Sequence, residues 1–166
     1  VLVLGCPGAG KSTLARALGE RLSLPVVHLD RLWWKSGWVN RTEAEFDALL
    51  DAVLLGEEWV MDGNYLRTLP KRLERADAVV LLDYPRRVCL FRALARMLPW
   101  RGRTRPDMAA GCPERLDGEF VRWIWDFRRT QRPQVLALLD GWAGEKHVFR
   151  SPRACAGFLT TLKREG

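Results

Sequence analysis

The segment Gly5-Cys6-Pro7-Gly8-Ala9-Gly10-Lys11-Ser12 constrains this chain more than any other. It matches G-x-x-x-x-G-K-S/T, and it stands between an apolar run, Val1 to Leu4, and an amphipathic stretch, Ser12 to Leu22, with apolar residues at Leu14, Ala15, Leu18 and Leu22. A strand, a glycine-rich turn and a helix in that order let backbone N–H groups converge at a helix N-terminus, where the helix dipole favours an anion. The motif predicts a phosphate cradle of Gly5, Gly8, Ala9, Gly10, Lys11, Ser12 and Thr13, with Lys11 on the β- and γ-phosphates and Ser12 on magnesium. ATP or GTP with Mg²⁺ is implied.

Further short apolar runs, Pro25 to Leu29, Trp59 to Met61, Ala78 to Leu82 and His147 to Phe149, read as strands. Helical patterns alternate with them: Thr42 to Leu55, opening on the capping box Thr42-Glu43-Ala44-Glu45, then Pro85 to Leu98, Glu114 to Arg129, and Pro152 to Lys163. Alternation of this kind predicts an α/β fold with a parallel sheet, and 166 residues suit a single domain. Pro99 to Pro113, rich in Pro, Gly and Arg, reads as a long loop, a form that is usually functional and often a lid.

Composition narrows the class. No run approaches the roughly eighteen apolar residues of a membrane span. The opening residues lack a secretory pattern, so a cytoplasmic protein without membrane contact is expected. Cys6, Cys89, Cys112 and Cys155 form no C-x-x-C pair and read as reduced thiols. The net charge of +7 is concentrated between residues 84 and 132, which hold twelve arginines and five acids. Clustered arginines suit phosphate, of a nucleotide or of nucleic acid, because guanidinium is planar, bidentate and always charged.

The chain has no Asn-Lys-x-Asp to read guanine, and neither Asp62 nor Asp83 is followed by a glutamate that could polarise water. A phosphate cradle without a hydrolytic group, together with surplus arginine, favours phosphoryl transfer from ATP to a small acceptor. A nucleic-acid-associated nucleotide switch and a simple ATPase are the alternatives. The switch is not favoured, since no helix-turn-helix, zinc finger or aromatic RNA-binding signature is present. Monomer and homodimer both stay open.

Trp59-Val60-Met61-Asp62-Gly63-Asn64-Tyr65 resembles the strand-Asp-Gly segment of adenylate kinases and related nucleoside monophosphate kinases, and Asp83-Tyr84-Pro85 resembles their next strand end. More closely, His28-Leu29-Asp30, Arg101-Gly102-Arg103-Thr104-Arg105-Pro106-Asp107-Met108 and Gly111-Cys112-Pro113-Glu114-Arg115 resemble a bacterial adenylate-kinase-like group often labelled DNA topology modulation proteins. The resemblance implies a P-loop NTPase three-layer sandwich with a five-stranded sheet ordered 2-3-1-4-5. It also implies an acceptor-binding segment at 31–57 and a lid at 99–113. In this frame Arg92 and Arg96 fall where those kinases hold adenine and phosphate, and Asp62 holds a magnesium-bound water.

The candidate residues follow. Asp30, at the carboxyl end of the second strand, would orient or deprotonate a hydroxyl acceptor, whereas Arg31 beside it would clamp an anionic one, so the acceptor stays open. Trp33, Trp34 and Trp38 either stack on a substrate ring or fill the core. Gly63, Asn64 and Tyr65 are expected in the same pocket. Arg101, Arg103 and Arg105 would reach the transferring phosphate from the lid, with Arg128, Arg129 and Arg132 as partners from the next helix. Asp83 reads as the N-cap of the helix after it.

Overall fold

A computed structural model describes residues 1–114 and 117–162. Its elements in chain order are β1 (Leu2–Gly5), α1 (Lys11–Leu22), β2 (Val26–His28), α2 (Leu29–Trp33), β3 (Trp34–Lys35), β4 (Val39–Asn40), α3 (Glu43–Leu54) and β5 (Val60–Asp62). After a 3-10 turn at Leu66–Thr68 come α4 (Leu69–Leu73), β6 (Ala78–Leu82), α5 (Arg86–Trp100), α6 (Gly118–Asp140), β7 (Glu145–Phe149) and α7 (Pro152–Thr161). Arg115 of the resembling block and Lys163 of the expected last helix lie outside the described residues.

The main sheet is parallel, ordered β2-β5-β1-β6-β7. Setting aside the separate antiparallel β3–β4 hairpin, that is the expected 2-3-1-4-5 order. Side chains alternate across it, as the two-residue strand period requires. Val3, Val80 and Leu82 enter one core with Leu14 and Leu18 of α1 and Cys89 and Ala93 of α5. Leu2, Leu4, Val79 and Leu81 enter the other with Phe46 and Leu50 of α3 and Leu69 and Leu73 of α4. The central strands are covered on both faces, which explains their unbroken apolar runs. Thr42 caps α3 in the expected box: its side chain accepts from Glu45 N, and Glu45 returns a carboxylate to Thr42 N at 2.8 Å.

The structure departs from the sequence expectation in several places. The helix expected to end at Arg129 runs on through Pro133 to Asp140. An internal proline costs about 3 kcal/mol, but α6 spans both cores, placing Ile124 and Phe127 in one and Val135 and Leu139 in the other. Burial of the two distal residues, worth roughly 1.5–3 kcal/mol each, offsets that cost. In the same way α5 passes Pro99 to end at Trp100. Asp83 does not cap α5, whose N-cap is Pro85 without a side-chain bond; its carboxylate instead receives Arg132 Nε and Nη2 at 2.6 and 2.7 Å. Beyond Trp100 the 99–113 stretch is the expected loop, an arm of turns closed by bridges between Arg101 and Glu114 and between Thr104 and Pro113.

Candidate active site

The carboxyl ends of β2, β5 and β1 converge on one cavity of about 990 Å³. Parallel α/β sheets place their ligand crevices at such ends. The 5–12 loop lies beneath it. Gly8 and Gly10 have φ of 80° and 97°, and a Cβ on Gly8 would collide with the Cys89 carbonyl of α5. Lys11 Nζ folds back into the loop, donating to the carbonyls of Gly5 and Cys6 at 3.1 and 3.3 Å. Gly8, Gly10, Lys11, Ser12 and Thr13 line the cavity, while Gly5 and Ala9 are buried in the loop wall.

Second-strand residues enter differently from expectation. β2 stops at His28, so Asp30 stands in the first turn of α2. Its half-buried carboxylate lines the cavity and accepts from the Tyr65 hydroxyl at 2.7 Å. Burial raises the Asp30 carboxyl above the ordinary range, opposed by the Tyr65 hydrogen bond. Burial and the Asp30 charge push the Tyr65 phenol up. Arg31 is exposed and does not line the cavity. Trp33, Trp34 and Trp38 do line it; Trp33 also packs edge-on against Phe46 at 5.4 Å, so it serves wall and core together.

Three residues that sequence reasoning passed over hold the site. His28 Nδ1 lies 2.6 Å from Asp62 Oδ1, with both side chains buried. Arg72, with no exposed surface, donates to the carbonyls of Gly63, Asn64 and Tyr65 and so fixes the turn after β5. Only the fold brings an α4 arginine under that turn. Asp107 of the arm is buried and accepts from Arg105, with Arg16 at 3.7 Å. Burial alone would raise the Asp107 carboxyl, but the Arg105 guanidinium beside it, above all, holds it below the ordinary value.

Asn64 lines the cavity, yet its amide is committed to Gly5, accepting from Gly5 N at 3.0 Å and donating to Gly5 O at 2.9 Å. Gly63 lines the cavity beside it. Arg92 and Arg96 project from α5, Arg92 against Gly10 and Arg96 onto Glu114 at 3.2 Å. Of the arm arginines, Arg105 reaches the cavity, paired with Asp107 and Glu114, whereas Arg101 and Arg103 are exposed and outside it. Arg132 is spent on Asp83, and Arg128 and Arg129 are exposed.

A nucleotide and Mg²⁺ fit this donor set. Glycine positions that a Cβ would fill, a lysine inside the loop and hard oxygens on Ser12 and Asp62 are what a magnesium nucleotide requires. Among the described residues no three His, Cys, Asp or Glu side chains gather into a metal cluster. Mg²⁺ is characteristically held by one or two carboxylates plus phosphates, without an all-protein cage. All four cysteines are free and buried. No helix among the described residues is long and apolar enough to cross a membrane.

Comparison with known proteins agrees with this geometry. A family model described as an AAA domain, AAA_18, matches residues 1–97. A "Putative adenylate kinase" of Thermococcus onnurineus is 27% identical over 174 residues, covering 100% of this chain and 84% of its own. Among solved structures, shikimate kinase from Bacteroides thetaiotaomicron superposes with a TM-score of 0.55 at 19% identity, covering 97% of this chain and 94% of its own. Shikimate kinase from Acinetobacter baumannii in complex with shikimate gives 0.61 at 16% identity, with 96% and 88% covered. With its loop, its sheet order and a family model matching residues 1–97, this chain belongs to the AAA_18 family of AAA domains and carries the α/β fold of P-loop kinases.

Proposed function

We propose that this protein is a single-domain kinase that transfers the γ-phosphate of Mg-ATP to a hydroxyl group of a small, ring-bearing acceptor. The observation that carries this reading is the Asp30–Tyr65 pair, facing the same cavity as Lys11 and Ser12. A half-buried carboxylate repels an anionic acceptor but can orient a hydroxyl and take its proton. The competing feature, Arg31, stands outside the cavity, and Arg105 already faces Asp107 and Glu114. The indoles of Trp33, Trp34 and Trp38 offer a wall for a planar or cyclic ligand.

In the transfer step the acceptor oxygen bonds to the γ-phosphorus as the β–γ bridging bond breaks. ADP leaves with that bridging oxygen, and the hydroxyl proton passes to Asp30. Lys11 and the loop N–H groups grip the phosphates, Arg92 and Arg96 flank the nucleotide, and the 101–114 arm acts as a lid that excludes water. Ser12 and Asp62 would hold Mg²⁺, which when bound neutralises phosphate charge. The lid sequence supports membership of the topology modulation group, whose label names a phenotype and not a reaction.

Phosphorus NMR of Mg-ATP with the protein and a panel of nucleosides, sugars, cyclic alcohols and nucleoside monophosphates tests this. A new phosphate-ester resonance with a neutral alcohol is the expected result. Transfer only to a monophosphate would reduce Asp30 to a binding residue, and phosphate release without product in every sample would make the protein an ATPase.

A second reading draws on exposed Arg101, Arg103, Arg122, Arg128 and Arg129 with half-exposed Trp123 and Trp125. Exposed guanidinium groups neutralise DNA phosphates. DNA retention that falls steeply with added salt is its test.

A further inference from the structure

Glu114 has no part in the transfer step above, although it lines the cavity between two of the arginines found there. It closes the arm: its backbone N–H donates to the Arg103 carbonyl at 2.9 Å, and it bridges to Arg101. With its backbone held there, the side chain is turned inward, 7% exposed, against both Arg96 of α5 and Arg105 of the arm. Arg96 presents one edge of its guanidinium, Nη2 donating to Oε1 at 3.3 Å with Nε 3.2 Å from Oε2. Arg105 pairs through Nε with the same Oε2 and through Nη1 with Asp107, which in turn lies 3.7 Å from Arg16 of α1.

Two guanidinium groups that share one carboxylate oxygen repel each other, and burial together with the Arg105 charge lowers the Arg96 pKa. An anion between them is what keeps them side by side. Burying such a triad adds little net stability, so what Glu114 chiefly fixes is geometry. A guanidinium carries more donors than these contacts use. Among the described residues no hydrogen bond engages Nη1 of Arg96 or Nη2 of Arg105, and both arginines line the cavity. Arg96, Arg105, Asp107 and Glu114 together are formally neutral, which does little to draw a free anionic acceptor. A γ-phosphate already gripped by Lys11 and the loop needs only directed donors, and it can take these without displacing Glu114. We propose that Glu114 is a positioning residue for phosphoryl transfer: it ties Arg105 of the arm to Arg96 of α5, so that the two form one clamp on the transferring phosphate. This rests on the kinase reading above.

The test is isothermal titration of the full chain with Mg²⁺ and either ADP or β,γ-imido ATP, an analogue that keeps the γ-phosphate. Wild type is expected to prefer the analogue. Glu114→Gln should lower that preference about tenfold, the effect of losing one charge-assisted hydrogen bond, with the ADP constant unchanged. In an Arg96→Met, Arg105→Met background the same substitution should change nothing further, because a residue that acts through its partners loses its effect with them. An equal loss for ADP and the analogue would make Glu114 a brace for the fold and overturns the proposal. So does an unchanged preference, a wild type that holds both nucleotides alike, or an effect that persists without the two arginines. Tighter binding of the analogue by the Gln variant also overturns it, since Glu114 would then be a stopper that phosphate displaces. If wild type binds neither nucleotide, the kinase reading itself falls, a result distinct from these. Thermal unfolding within a few degrees of wild type excludes loss of fold as the cause. Should Glu114→Gln not fold, Glu114→Asp decides: it keeps the charge but is one methylene too short to bridge both arginines, so it should lose several-fold of the preference, and an undiminished preference overturns the proposal.

Discussion

His28 and Asp62 face each other across neighbouring parallel strands, in register, with Nδ1 and Oδ1 2.6 Å apart and both side chains buried. The carboxylate can only accept, so Nδ1 carries the proton and fixes the imidazole tautomer. The imidazole in turn fixes one oxygen of Asp62 and leaves the other for the cavity.

His28→Leu should therefore cost about 1–3 kcal/mol of stability, the penalty for a buried polar group left without its partner. It should also weaken the Mg²⁺ dependence of nucleotide binding. His28→Asn, whose amide nitrogen substitutes for Nδ1, should recover most of both. Chemical denaturation together with Mg²⁺ titrations of analogue binding checks this; equal loss in the two variants would deny His28 a positioning role.

The Asp30–Tyr65 bond gives a pH prediction. Burial raises the Asp30 carboxyl and the Tyr65 donor opposes that rise. If Asp30 works ionised, activity climbs with pH through the raised value. Folding stability runs the other way, because the folded state holds the proton longer than the unfolded state and loses stability as pH rises across that window. Tyr65→Phe removes a donor to the ionised form, so the acid limb of kcat should move to higher pH. Asp30→Asn should lower kcat by about 10²–10⁴, the usual contribution of a general base, with analogue binding retained. A pH–rate profile of both variants decides it.

Arg132 was expected near the phosphate but forms a two-point pair with Asp83, whose side chain is 5% exposed. Arg132→Met strands that carboxylate, at an expected cost of about 3–5 kcal/mol. Urea unfolding measures it. An undiminished midpoint, with lost turnover, would return Arg132 to the catalytic set.

Two substitutions separate the loop's shape from its charge. Gly8→Ala forces a left-handed φ and a collision with the Cys89 carbonyl. It should destabilise by about 1–3 kcal/mol and weaken nucleotide binding as well. Lys11→Ala should abolish transfer while leaving the unfolding midpoint near wild type, since the Lys11 ammonium donates to loop carbonyls of Gly5 and Cys6. Isothermal titration with the analogue, beside thermal unfolding, tests both. Full turnover in the lysine variant would place the chemistry elsewhere.

Local signals carried much of this protein. The 5–12 motif between a strand and a helix and the Thr42 capping box are legible because each depends on spacing along a few neighbouring residues, whereas the strand order was legible only through the resemblance to adenylate kinases. The arm arginine that reaches the cavity, Arg105, was legible from the Arg-x-Arg-x-Arg pattern, though the pattern could not tell it from Arg101 and Arg103. Tertiary packing decided the rest. Pro133 is a local stop signal, and only the two cores that α6 spans overrule it. Asp83 looks like a cap until the fold sets Arg132, 49 residues away, against it. His28 on Asp62 and Asp107 beside Arg16 are pairings between residues distant in the chain, and Arg72 meets the 63–65 turn because α4 folds back beneath it. Periodicity and capping are short-range physics and can be read from sequence. Which buried charge meets which partner is set by the closure of the whole chain around one cavity, and no window of the sequence contains it.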